Sequence, residues 1–255
     1  MTATTTTAFL ASLQTGDLVF FHGNAPLSRV IQWAQGSPWS HVALAVRLPG
    51  SPDHVAFWEA VRTSEGLAAL PVPGTGPRRH PLDPGERDVR SGVRLVDGTA
   101  KLRTEAGAGW TLRLGVRRLT VLPAHLPSRR ALTRRLLAEM APLDGRPYAR
   151  RLTTLLWSWV DLCDACGWTW NGNPGTEAYE QDGLFCSELV VVTLAAAGVL
   201  HLPHAPGTPV PPASRQAVAA ECTVADLCAP RRFDEPLLHG TGARYRDVEV
   251  HTLCM

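Results

Sequence analysis

The chain has 255 residues, 45% hydrophobic and 19% charged, with a formal net charge of +2. That length and apolar fraction suffice for one sizeable core, read here as a single domain over residues 1–255. The near-neutral balance excludes a strong field toward nucleic acid, and Lys101 is the sole lysine among cations that are otherwise arginine, a bias ascribed to base composition of the gene.

Residues 16–21 follow a turn signal and are dense in β-formers, which predicts a first strand. Residues 25–35 carry Leu27, Val30, Ile31 and Ala34 at helical spacing and stop near Gly36. A second strand is predicted over 41–47, a turn at Pro49-Gly50-Ser51-Pro52, and a third strand over 54–61 with Val55, Phe57 and Glu59 on one face. An antiparallel pairing of these two strands sets His41 near Glu59.

Residues 63–109 are rich in Pro, Gly and Arg, with weak apolar periodicity outside 92–96, and read as a loop-rich insertion that either covers a site or is a solvated disordered loop. Residues 110–122 rejoin the sheet, and 128–141 form an amphipathic helix with Leu132, Leu136, Leu137 and Met140 inward. Gly145-Arg146-Pro147-Tyr148 breaks that helix, and another starts over 152–162. After the apolar run that begins near Cys186 come a proline-rich connection at 203–212, short segments at 213–220 and 223–227, and an edge strand at 245–253. The order is that of an α+β domain.

Residues 1–7 lack the basic start and apolar stretch of a secretory signal, and the longest nearly apolar run, 189–200, falls short of the ~20 residues that span a bilayer. Six cysteines without a signal suggest reduced thiols, hence a cytoplasmic location.

Cys186 lies where a short turn gives way to that apolar run, at the first turn of a buried helix. The unpaired N–H groups and positive dipole end there favour a thiolate. Far upstream, His41 opens a strand, so the pair has the makings of a nucleophile and its base. Set against this, a buried cysteine usually behaves as a small hydrophobe, and Glu59 reads equally as a solvated strand residue, with Asp17 or His54 as substitutes. His22, near the first strand, reads more simply as a loop histidine.

Gly16-Asp17-Leu18-Val19-Phe20, Ser37-Pro38-Trp39-Ser40-His41-Val42-Ala43-Leu44, Glu59-Ala60, Gly145-Arg146-Pro147-Tyr148, Phe185-Cys186-Ser187-Glu188-Leu189 and Thr223-Val224-Ala225-Asp226-Leu227 form an ordered series. Together they resemble the circularly permuted papain-like cysteine hydrolases of the NlpC-type superfamily, in the YiiX-like branch, where the histidine strand precedes the cysteine helix. The resemblance implies a permuted papain-like fold, an antiparallel sheet packed against the cysteine helix. It also implies a thiol hydrolase of peptidase or amidase type with Cys186 as nucleophile, His41 as base and Glu59 as the orienting residue. The long 63–109 segment and the tryptophan-rich stretch before Cys186 depart from the pattern, so the substrate does not transfer with the resemblance.

The expected partner is a peptide or lipid-like acyl substrate carrying an amide, ester or thioester bond, with no nucleic acid and with membrane contact only through such a substrate. No cofactor and no metal are expected. Rival readings are an acyltransferase or thioesterase resembling the lecithin–retinol acyltransferase group, which carries a second histidine where Glu59 stands here, and a module that binds peptide or lipid without turnover. Cys163, Cys166, His201 and His204 raise a zinc reading, but their spacing does not suit a finger, and Cys163 and Cys166 read better as one helical turn. Trp157, Trp159, Trp168 and Trp170 serve either the core or an acyl groove, and Arg78, Arg79, Arg87 and Arg90 either solvation or an anionic substrate group.

Overall fold

The computed structural model describes residues 3–51, 53–61, 67–74, 91–106, 112–148, 184–201, 224–229, 237–238 and 240–253. Its first half runs β1 Ala3–Thr4, α1 Thr6–Ser12, β2 Leu18–Phe21, α2 Pro26–Gln35, β3 His41–Arg47, β4 Val55–Val61, β5 Ala69–Leu70, β6 Gly92–Asp97 and α3 Gly98–Ala106. The second half continues with β7 Leu112–Arg117, β8 Leu119–Val121, α4 Arg129–Met140, α5 Cys186–Ala196, α6 Val224–Cys228, β9 Arg244–Tyr245 and β10 Glu249–Leu253. The fold is α+β: an eight-stranded sheet in the order β1-β10-β7-β2-β3-β4-β6-β5, antiparallel except for the β1–β10 pair, and a small β8–β9 ribbon.

The central strands are apolar in near-continuous runs because helices cover both faces of the sheet. Alternate residues of β3 divide between two cores: Val42, Leu44 and Val46 pack with α4, α5 and α6, whereas Ala43 and Ala45 pack with α1 and α3. β4 divides in the same way, Ala56, Trp58 and Ala60 facing α5, and Val55 and Phe57 facing α3. Glu59 continues the Val55–Phe57 row and therefore belongs to the α3 side.

Helix α4 follows its expected pattern: the Ser128 side chain accepts from Ala131 N–H at 3.2 Å as N-cap, and Leu132, Leu136, Leu137 and Met140 are buried. Helix α2 likewise stops at Gly36, in the left-handed conformation at φ 57°, yet it buries none of its residues, and Leu27, Val30 and Trp33 stand exposed.

Two expectations are corrected. The 63–109 segment is not a loop throughout: Gly92–Asp97 pairs with β4 inside the sheet, and Gly98–Ala106 is a helix packed on that strand. Within it, Arg94 and Lys101 are charged side chains in buried positions. The C-terminal edge strand is divided and is not an edge: β9 joins β8, while β10 lies between β7 and the short β1. Pairing across such sequence distances leaves no local signal. Among the described residues, no helix is long and apolar enough to cross a membrane.

Candidate active site

Helix α5 carries Leu189, Val190, Val191 and Leu194 fully buried, and a hydrogen bond from Trp58 Nε1 to Thr193 Oγ1 at 3.1 Å ties it to β4. Its first residue is Cys186, 6% exposed. The turn before it is held by Leu184 N–H donating to the Pro147 carbonyl at 3.0 Å and by the Tyr148 and Phe185 rings meeting edge to face at 5.7 Å. Residue 146 is anchored in turn by Val93 N–H, which donates to its carbonyl at 2.8 Å. Gly92, at φ 118°, permits that approach, since a Cβ there would lie 2.6 Å from the Arg146 oxygen. At the helix start, Glu188 Oε2 accepts from Phe185 N–H at 3.1 Å, placing a carboxylate in the first turn, where it opposes the dipole.

The sulfur sits past the end of a ladder. β3 and β4 pair from Leu44↔Trp58 to Arg47↔Val55, and pairing stops short of Val42. The Val42 N–H goes instead to the Cys186 sulfur, which also receives the Ser187 N–H and is hydrogen-bonded to the His41 ring. Burial pushes the thiol up in pKa, but these donors and the charge of His41 outweigh it, and the net direction is down, toward thiolate.

His41 is held from the other side. Its Nε2 lies 3.0 Å from Glu59 Oε2, which leaves Nδ1 for sulfur. Its side chain is 19% exposed, and the Phe21 ring lies 5.4 Å away. Burial disfavours the imidazolium, yet the hydrogen bonds to Cys186 and Glu59 and the thiolate charge prevail against it and against Lys101, and its pKa is pushed up to about 9. Sulfur and ring thus favour the thiolate–imidazolium form.

Glu59 is fully buried and held by three cations. Arg94 of β6 donates to Oε1 from Nη2 at 3.0 Å and from Nε at 3.3 Å, and Lys101 Nζ of α3 sits 2.9 Å from Oε2, the oxygen that also meets His41. Burial would raise its pKa, but Lys101, His41 and Arg94 hold the carboxyl well below the usual range. Lys101 also pairs with Glu105 at 2.8 Å and lies 5.5 Å from the centre of the Phe21 ring.

The structure therefore brings Cys186, His41 and Glu59 together, and adds Arg94, Lys101 and Glu105, which sequence reasoning missed. The signals were there: a lone lysine, and an arginine set within the alternation of 92–96. The two substitutes for Glu59 lie elsewhere. Asp17 accepts from Gln14 N–H at 2.9 Å and Leu119 N–H at 3.0 Å, and His54 pairs with Asp97, which caps α3 through Ala100 N–H at 2.6 Å. His22 meets the Pro38 carbonyl through Nδ1 at 2.7 Å. Cys163, Cys166, His204, the four tryptophans and the four arginines named above lie outside the described residues. Among the described residues, no three His, Cys, Asp or Glu side chains come together to hold a metal ion.

No protein-family model matches the chain, and no curated protein matches it. Among solved structures, it is similar to the metalloprotein yiiX from Escherichia coli O157:H7, at 15% identity and a TM-score of 0.40, over 92% of this chain and 97% of that one.

Proposed function

We propose that this chain is a thiol hydrolase of the permuted papain-like order, cleaving an amide, ester or thioester bond through an acyl-enzyme on Cys186. The observation that carries the reading is His41 hydrogen-bonded on one side to a thiol at a helix start and on the other to a buried carboxylate.

In this mechanism the thiolate attacks the carbonyl carbon, forming the C–S bond while the Cys186 N–H stabilises the oxyanion. The C–N, C–O or C–S bond to the leaving group breaks, and the His41 imidazolium gives that group its proton. Neutral His41 then takes a proton from water, which attacks the thioester and releases acid and thiolate. Glu59 holds the ring in the tautomer that faces sulfur. A second acceptor in place of water would make the protein an acyltransferase, so the acyl product separates these two outcomes.

An activity-based thiol probe should label the wild type and not Cys186→Ala. Labelling should persist well below the ~8.5 of a free thiol, and this low-pH limb should vanish in His41→Ala. The same ordinary thiol titration in wild type and His41→Ala would assign Cys186 a packing role only and defeat the proposal.

A further inference from the structure

Lys101 occupies a position that a papain-like triad does not require. It is 5% exposed, and its Nζ shares one oxygen, Glu59 Oε2, with His41 Nε2, at 2.9 and 3.0 Å. The ammonium and the imidazole are therefore no more than about 6 Å apart, within the range where one charge shifts another's protonation by a unit or more. A carboxylate with only His41 as partner would draw the proton onto the ring as strongly as its charge allows. Shared with Lys101, and with Arg94 on its other oxygen, it orients the ring while part of its charge is already answered.

We propose that Lys101 is a positioning residue of the Cys186 site, restraining the proton affinity of His41 through the shared oxygen of Glu59 so that the imidazolium still gives up its proton. This rests on the hydrolase reading above and adds a control to it. An imidazolium bound too tightly by Glu59 and the thiolate is a poor acid toward a leaving group, which slows acyl-enzyme formation. Glu105, 39% exposed at the rim, adjusts the same control by answering part of the Lys101 charge. The charged groups that bear on the ring are thus Glu59 of β4, Arg94 of β6, Lys101 and Glu105 of α3, and Cys186 of α5. The first turn of α5 adds Glu188 behind the sulfur.

The test is an NMR titration of the His41 imidazole in the full chain, with chloroacetamide alkylation of Cys186 across pH as the companion measurement. Lys101→Met should raise the His41 midpoint by about one unit, Lys101→Arg should restore it, and Glu105→Gln should lower it by a few tenths. Opposite signs for the two α3 variants are what electrostatic control demands and a packing role does not produce. A midpoint unchanged in folded Lys101→Met, or shifted equally in Lys101→Arg, overturns the proposal. Should Lys101→Met fail to fold, the sign of the Glu105→Gln shift decides, and no downward shift overturns it. The hydrolase reading fails separately, by an ordinary Cys186 thiol titration in the wild type.

Discussion

On the α5 side of the sheet, Cys186 stands at the end of an apolar layer in which Leu189, Val190, Val191, Leu194 and Trp58 are fully buried. On the α3 side, Glu59 is just as buried but is surrounded by Arg94, Lys101 and His41. His41 joins the two, because the β3–β4 ladder ends before it and its ring reaches both layers past the last paired residues. Cys186 thus rests on packing, which tolerates loss of a small polar atom. The carboxylate rests on charge pairing, which does not tolerate loss of one member.

The largest expected effect breaks the ionic layer. Glu59→Gln removes the carboxylate between buried Arg94 and Lys101, leaving Lys101 only its rim partner Glu105, and should cost about 3–5 kcal/mol, read by urea denaturation. Cys186→Ala, at the same site, should abolish probe labelling while the unfolding midpoint stays close to that of the wild type. Equal destabilisation by the two variants would erase the distinction between the layers.

In the apolar layer, Leu194→Ala should cost about 2–5 kcal/mol through its cavity. Thr193→Val should cost about 1–3 kcal/mol, since it leaves Trp58 Nε1 buried without its acceptor. Neither should shift the pH dependence of labelling, because neither changes a charge near His41.

A pH series sharpens the contrast further. Glu59 has a depressed pKa in the fold, so its contribution to stability is present above the unfolded value of 4.5 and fades as pH falls below it. The stability difference between wild type and Glu59→Gln should therefore shrink from pH 6 toward pH 3, at about 1.4 kcal/mol per pH unit at its steepest. His41 has the opposite sign. With a folded pKa near 9 against 6.5 unfolded, its contribution is complete below 6.5 and is lost as pH rises through 9. A flat difference curve for Glu59→Gln on the acid side would mean that the carboxylate is not held ionised by its neighbours. The smallest effect belongs to Glu105→Gln, whose rim position should keep its stability cost under about 1 kcal/mol, by the same urea measurement.

Much of the apolar layer was legible in the chain. The β3 and β4 strands and the Cys186 helix announce themselves as short apolar runs bounded by turn signals, and α4 through its 3.6-residue stripe and its Ser128 cap, all of them local properties. His41, Glu59 and Cys186 were found from strand alternation and motif order. The rest of the ionic layer was missed, because β6 and α3 place Arg94 and Lys101 where burial predicts apolar side chains, and neither charge marks a core position on its own. A charge in a core position is explained only by the opposite charge it meets, and that partner is 35 residues away for Arg94.

By itself, then, the sequence determined the α+β class, the strands on which His41 and Glu59 sit and the helix that begins at Cys186, since each follows from periodicity and turn chemistry within a short window. Only the tertiary structure decided that β3 and β4 part beyond Leu44 so that the Val42 N–H is free to meet sulfur, that β10 lies inside the sheet, and that the chain's one lysine closes on Glu59. Those outcomes depend on long-range strand order and on pairing between distant charges, whose energies arise only when the partners share one low-dielectric space.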